Sequence, residues 1–353
     1  MKEGITFVVP VHNGAASIAD ALAAIAAETA RAGAGRAFEI IVVDDASRDD
    51  SAGILRSLSN VHAFRVIAGE ARGAAAALNA GIRAARFPLI AQVDQDVVLK
   101  PGWLDALTVE LEEPAVGAVQ GRYVTDSHAS LCARAMSFDL AQRYAAIDGR
   151  DTDHVCTGNS IYRAEALHRI GLFDESLGYG YDNDVSYRLR AAGYDLRFCS
   201  AAESVHRWRD GLAGYLVQQY GFGYGRADVV ARHPSRFGGD AVSPAAMMWH
   251  PLALSLALAF AVVALIVAAS GGSWQRFAVS SGILVGALML ERLAAGIRAA
   301  RQFRDRTPLV FPLLHLARDA AWVAAIVVWL ARFAAGRPSR PSHSMRPRPE
   351  SGS

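Results

Sequence analysis

What this chain lacks narrows its function quickly. Cysteine is scarce: Cys132, Cys156 and Cys199 are an odd number at irregular spacing, with no C-x-x-C. A disulfide framework or zinc site is therefore not expected, and a reducing, cytosolic environment is. Charge of one sign is also missing. The formal net charge is only +2 over 353 residues, so no nucleic-acid partner is expected. No G-x-G-x-x-G follows the first apolar run, which argues against a dinucleotide-dependent dehydrogenase. The opening MKEGITFVVPVHNG has neither the basic start nor the long apolar core of a signal peptide, and none is expected. Between Ala241 and Gln275 there is no Asp, Glu, Lys or Arg, whereas residues 1–240 carry charges throughout. The 52% hydrophobic content is thus concentrated toward the C-terminal side.

The charged part alternates between two periods. Apolar, β-branched runs at Ile5–Val11, Phe38–Val43, Ala63–Gly69 and Pro88–Val93 read as buried strands. Between them, Ser17–Ala30, Ser51–Leu58 and Gly73–Ala85 read as helices, the first with Ile18, Leu22 and Ile25 on one face. Alternation of this kind implies an α/β domain with a mostly parallel sheet covered on both faces. Ligands of such sheets bind beyond the carboxyl ends of the strands. His12, Asn13, Asp44, Asp45, Asp94 and Asp96 all stand at those ends. Ser127–Ile147 reads as an amphipathic helical region without evident chemistry, and a helix at Asp184–Ala192 is stopped by Gly193.

In QVDQDVV, two like charges at the tip of a buried strand repel unless a cation meets them. Hard oxygen ligands suit Mg2+ or Mn2+, which commonly bridges to substrate phosphates. The alternative is a solvated turn carrying two surface aspartates.

Three apolar stretches follow, at about 247–269, 277–295 and 309–333. The first is long enough for one bilayer span, which takes about 20 apolar residues. The third carries His315, Arg318 and Asp319, which are costly at the centre of a span. Two full spans plus an embedded or interfacial third element place the basic loop Arg298–Arg306 on the cytosolic side, as the positive-inside rule asks. The expected organisation is an α/β domain over 1–235, a membrane region over 236–335, and a disordered basic tail over 336–353. The expected site is the inner (cytoplasmic) membrane, multi-pass, with the α/β domain facing the cytosol.

In order, VVPVHNG, IIVVDDASRDDS, GEARGAAAALNAGIRAA, QVDQDVVLKPGWL, TGNSIYRAEALHRIGLFDESL, YDNDVSYRLRAAGYDLRF and ESVHRW closely resemble the family-2 inverting glycosyltransferases of the GT-A fold, over roughly residues 5 to 230. The resemblance implies a nucleotide-diphosphate sugar donor, commonly a UDP-sugar. It also implies a divalent metal and, given the membrane segments, a lipid-linked or envelope glycan acceptor. By the same resemblance Pro10, His12, Asn13, Asp44 and Asp45 line the nucleotide site, although the acidic pair could instead cap the next helix. Arg72 and Gly73 approach the nucleotide and sugar, with Asn79 orienting their loop. Asp94 contacts the ribose or the sugar. Asp96 holds the metal, completed by His206. Gly158 and Asn159 lie beneath the acceptor, and Trp208 and Arg209 cover the diphosphate. The catalytic base is Asp182, with Asp184 as a helix cap or a partner of Arg188. The family's usual Glu before that Asp is Tyr181 here, a departure that leaves open how the acceptor is held. Two other readings stand beside this one. A GT-A-like nucleotidylyltransferase usually has a basic residue in the loop that VHNGAASIAD occupies, and there is none. A catalytically inactive, membrane-anchored binding or scaffold protein is the other. Without Q-x-x-R-W (only HRWRD is present), single-sugar transfer is expected rather than processive synthesis.

Overall fold

A computed structural model describes residues 4–33, 35–147 and 151–337. From residue 338 onward the expected basic tail lies outside the described residues. Two compact units emerge: residues 4–126 with 143–207, and residues 127–142 with 208–337.

In the first unit the chain runs β1 (Gly4–Val11), α1 (Ile18–Ala32), β2 (Ala37–Asp44), α2 (Ser51–Leu58), β3 (Arg65–Ala68), α3 (Ala74–Ala84), β4 (Leu89–Val93), β5 (Val97–Leu99), α4 (Trp103–Glu110) and β6 (Val116–Val124). After α5 (Leu131–Ala145), whose first part belongs to the second unit, come β7 (Asn159–Arg163), α6 (Ala164–Arg169), α7 (Tyr181–Ala191) and β8 (Asp195–His206). The eight strands form one mixed sheet in the order β3-β2-β1-β4-β7-β6-β8-β5. The β3-β2-β1-β4 half is parallel, as the alternating pattern predicts. β7 then enters antiparallel between β4 and β6. The apolar runs are buried as read: Ile5, Phe7, Val8 and Val9 of β1 are fully enclosed, and α1 presses Ile18, Leu22 and Ile25 inward. Each such side chain contributes about 1.5–3 kcal/mol on leaving water.

Register places the site. β1, β2 and β4 are parallel neighbours, so Val11, Asp44 and Val93 finish at one edge of the sheet. β5 lies antiparallel to β8 with Val97 opposite His206, which carries the histidine back to the Asp-Gln-Asp turn. α7 begins at Tyr181, ahead of the Asp184 start expected from the pattern, behind a left-handed Gly180 (φ 76°). Asp182 therefore sits in its first turn.

The second unit contains residues 127–142, which include most of α5, together with α8 (Gly211–Arg232), α9 (Ala245–Ala269), α10 (Gln275–Phe303) and α11 (Phe311–Ala334). Ala135, Phe138, Tyr215, Ala299, Phe311 and Leu314 form its core. α8 meets α11 closely enough that a Cβ on Gly223 would fall 2.8 Å from the Trp322 backbone. Three helices, at Ala245–Ala269, Gln275–Phe303 and Thr307–Ala334, are long and apolar enough to cross a membrane. Their outward faces are apolar: Leu252, Leu265, Ile266, Ile283, Leu313 and Val327 are exposed. The charges of α11 are not left alone. Asp319 is ion-paired with the buried Arg292, and Asp139 faces His315 and Arg318, each at 3.6 Å. Pairing offsets much of the cost of burying these groups.

Candidate active site

The first three strand ends are wired together by their own backbone. Asp45 N–H donates to Val11 O (2.7 Å), and His12 Nδ1 lies 2.8 Å from Asp45 O. Gln95, the middle residue of Asp-Gln-Asp, clamps His12 from both sides: its Oε1 accepts from His12 N–H (2.9 Å) and its Nε2 donates to His12 O (3.3 Å). Asn13 adopts a left-handed φ of 53°, a conformation asparagine tolerates better than most residues. Its Oδ1 accepts from Arg48 N–H at 2.8 Å, while Asp44 Oδ1 accepts from Ser47 N–H at 3.0 Å. Pro10 sits one residue before the β1 terminus, paired with Val43.

Asp45 is 2% exposed, and its carboxylate accepts N–H bonds from Arg72 (3.3 Å) and Gly73 (2.8 Å) at the head of α3. The acidic pair thus does not cap α2, the helix that follows it; Asp45 satisfies the start of a later one. Arg72 is held by Glu175 (2.6 Å) and Glu70 (3.2 Å). Glu175 in turn accepts from Asn79 Nδ2 at 2.9 Å. Asn79 is itself buried, exchanging hydrogen bonds with the backbone of Phe173. Asn79 therefore reaches the Arg72 loop through Glu175.

Asp94 takes a hydrogen bond from Gln92 Nε2 (2.8 Å) and lies against Gly158, where a Cβ would fall 2.5 Å from its Oδ2. Burial pushes its carboxyl up to about 7; the charges of Asp96 and Asp182 push the same way, and Gln92 opposes them. Gly158 N–H donates to Gln92 Oε1, so one buried glutamine sets both residues. Asn159 is fully enclosed and its Oδ1 accepts from Trp103 Nε1 at 2.5 Å, which commits that oxygen to the head of α4. Asp96 Oδ1 faces His206 Nε2 at 3.6 Å, with Tyr123 edge-on to the imidazole. Burial lowers the His206 pKa against the opposing pull of Asp96, which keeps a ring nitrogen lone pair available.

Among the described residues, no three His, Cys, Asp or Glu side chains form a metal cage of their own. One carboxylate and one neutral imidazole nevertheless fit a divalent cation that takes its remaining oxygens from water and substrate phosphates. Asp182 completes the group. Its Oδ1 accepts from Asn183 N–H (2.9 Å), and its Oδ2 lies 3.5 Å from His154 Nε2. Asp184 is buried and bound by Arg188 at 2.6 Å. Tyr181 packs edge-on to Phe173, and burial, with Asp94 and Asp182 nearby, holds its phenol well above the usual range. Trp208 and Arg209 belong to the second unit.

Residues 6–171 match the family described as "Glycosyl transferase family 2". The chain carries a family 2 glycosyl transferase domain. A curated relative of this glycosyltransferase domain, the pre-mycofactocin glycosyltransferase of Mycobacterium tuberculosis, is 28% identical over 333 residues. That alignment takes in 91% of this chain and 63% of the relative, so the chain spans less than two thirds of that protein's length. The glycosyltransferase AglE of Haloferax volcanii is 26% identical over 229 residues, covering 64% of this chain and 73% of its own. Among solved structures, a mannosyltransferase from Pyrobaculum calidifontis in complex with GDP-Man and Mn2+ superposes with a TM-score of 0.59 at 19% identity, covering 94% of this chain and 88% of that one. Residues 1–349 of S. aureus TarS superpose at 0.50 and 16% identity, over 96% and 93% of the two chains. These likenesses establish the GT-A-like fold of the glycosyltransferase domain.

Four residues of this domain escape a reading of the sequence alone: Gln92, Gln95, His154 and Glu175. A glutamine inside the apolar run LIAQV is the one with a visible signal, because a buried polar side chain needs a reason.

Proposed function

We propose that the protein is a membrane-anchored, metal-dependent inverting glycosyltransferase. It moves a sugar from a nucleotide-diphosphate sugar to a hydroxyl of a lipid-linked or envelope glycan. The reading is carried by the gathering of Asp94, Asp96 and Asp182 around one strand end with His206 beside them. Three carboxylates with no arginine or lysine bridging them among the described residues suit a site that receives a cation with its substrate. Asp96 and His206 would hold Mg2+ or Mn2+, which supplies charge to offset the departing diphosphate.

The chain's own residues do the rest. His12, Asn13, Asp44 and Asp45 line the nucleotide pocket, and Arg72, fixed by Glu175, faces the diphosphate or sugar. Asp94 contacts the ribose or the sugar. Asp182 takes the proton of the acceptor hydroxyl as that oxygen attacks the anomeric carbon from the opposite face. It is 24% exposed, open enough for a hydroxyl to reach it. Asp184 is already engaged by Arg188, which supports Asp182 for the role. The apolar outward faces of α9, α10 and α11 support a multi-pass anchor in the inner membrane with the domain in the cytosol. Two full spans and a third embedded helix keep the basic Arg298–Arg306 stretch inside, although residues up to Phe303 belong to the end of α10 and not to the loop expected from the sequence.

The test is donor turnover by the detergent-solubilised protein, with a panel of nucleotide-sugars, Mg2+ or Mn2+, and membrane lipid extract as acceptor source. Metal-dependent nucleotide release from one donor is expected, and Asp96→Ala and Asp182→Ala should abolish it. Binding without turnover for every donor and acceptor would favour the second reading, a nucleotide-sugar-binding scaffold, to which Tyr181 in place of Glu lends support.

A further inference from the structure

His154 stands outside every motif of the family resemblance, yet it is 6% exposed and lies beside Asp182. Neither of its ring nitrogens has a hydrogen-bond partner among the described residues. A buried imidazole without partners costs stability, so its presence asks for a reason. Its Nε2 lies 3.5 Å from Asp182 Oδ2, and that carboxylate is the group it faces. The other Asp182 oxygen is already tied to Asn183 N–H.

The backbone around His154 is fixed with care. Thr152 N–H donates to Leu196 O at 2.8 Å, and Thr152 Oγ1 both accepts from His154 N–H (3.3 Å) and donates to His154 O (3.1 Å). One residue on, Val155 N–H donates to Ser186 Oγ (3.1 Å), and that hydroxyl donates to Asp182 O at 2.6 Å. Val155 and Ser186 are both fully buried. A single serine therefore locks the His154 loop to the helical turn that carries Asp182. The two backbones are held at a fixed spacing, so side-chain rotation alone can vary the 3.5 Å gap.

We propose that His154 is a positioning residue for Asp182, closing to hydrogen-bond length when substrates bind and holding Oδ2 toward the acceptor hydroxyl. This rests on the reading of Asp182 as the base. Separations of this kind are commonly long in the unliganded site and shorten in the complex. The imidazole also supplies a donor side chain that faces Asp182. Its loss lets the carboxylate rotate away from the line of attack, which slows the chemical step without weakening donor binding.

The experiment uses the full chain in detergent and the donor identified by turnover. His154→Phe keeps an aromatic ring, though a larger one, and removes the donor; His154→Gln keeps a donor. His154→Phe should lower kcat about 10–100-fold, a part of the roughly 10²–10⁴ a general base supplies. The donor KM and the thermal midpoint should stay near those of the parent. His154→Gln should recover much of the lost kcat. An unchanged kcat in His154→Phe, or equal kcat losses in both variants, overturns the proposal. Asp182→Asn is run beside them. If it turns over normally, the base assignment itself fails and His154 loses its role with it. If it is inactive while His154→Phe turns over like the parent, only the histidine's role is lost.

Discussion

Replacing Gly158 with alanine adds one methyl group at the point where the Asp94 carboxylate meets the backbone. The added carbon would lie 2.5 Å from Asp94 Oδ2, 2.8 Å from its Cγ and 3.0 Å from Tyr123 Oη. Two costs follow. Gly158 has φ +94°, and placing a Cβ on a left-handed backbone costs about 1–2 kcal/mol. Forcing extra volume into a packed site costs about 1–3 kcal/mol more. Asp94 has little freedom to yield, because Gln92 holds its other oxygen. The sum is about 2–5 kcal/mol, or roughly 4–20 °C in thermal midpoint for a domain of this size. Gly171→Ala is the control. It has φ +82° with nothing within 4 Å of its Cβ position, so it should show only the backbone cost. The assay is thermal unfolding of both variants, with nucleotide-sugar binding measured below the transition. Gly158→Ala should be the less stable and should bind donor more weakly, since Asp94 must move. Equal midpoints for the two variants, with donor binding intact, would refute the idea that Asp94 is pressed against this glycine.

Arg292→Ala should destabilise the helical unit by at most about 3–5 kcal/mol, because it leaves the buried Asp319 with Arg318, at 3.5 Å, as its remaining cationic partner among the described residues. Replacing both residues by leucine should restore most of the midpoint seen by circular dichroism in detergent. Burial pushes the Cys156 thiol up to about 12, so it should resist alkylation at pH 8 in the folded protein and react fully once denatured. At Glu203, burial raises the pKa, but the hydrogen bonds from Arg122 and Lys100 outweigh it and hold the carboxyl below its usual range. A depressed carboxylate stabilises the fold above its unfolded pKa and loses that contribution as pH falls. Acidification from pH 6 toward 3 should therefore lower the midpoint of the parent more than that of Glu203→Gln.

The parallel half of the sheet was legible because its strands are apolar runs that stop abruptly at His-Asn, Asp-Asp and Asp-Gln-Asp. Burial on both faces produces such runs, and the open strand ends collect the polar groups. β7 was not legible. Its residues, Asn-Ser-Ile-Tyr-Arg, look like a loop, yet four of the five are buried at the middle of the sheet. Trp103 meets one of its polar atoms, Asn159 Oδ1, and no local pattern announces a partner so distant in the chain. The same holds for the charges of α11. His315, Arg318 and Asp319 read as an obstacle to a membrane helix until Asp139 and Arg292 are seen facing them. At the site, the strand-end acids follow from pattern. Gln95, Glu175 and His154 act by hydrogen bonds across the fold, which spacing does not encode.

The assignment of residues 127–142 to the helical unit bears on how a smaller, water-soluble version of this protein could be made. A fragment ending at Arg207 deletes α8 to α11 but keeps those sixteen residues, because they lie upstream of the last sheet strands. Ala135 and Phe138 would lose Phe311 and Leu314, and Asp139 would lose both His315 and Arg318. The cut would expose a greasy, half-charged patch in the middle of the retained chain and invite aggregation. Simple C-terminal trimming is thus the wrong route. A workable fragment would also need Ala135, Phe138 and their neighbours recoded with polar side chains, or the whole 127–142 excursion replaced by a short linker.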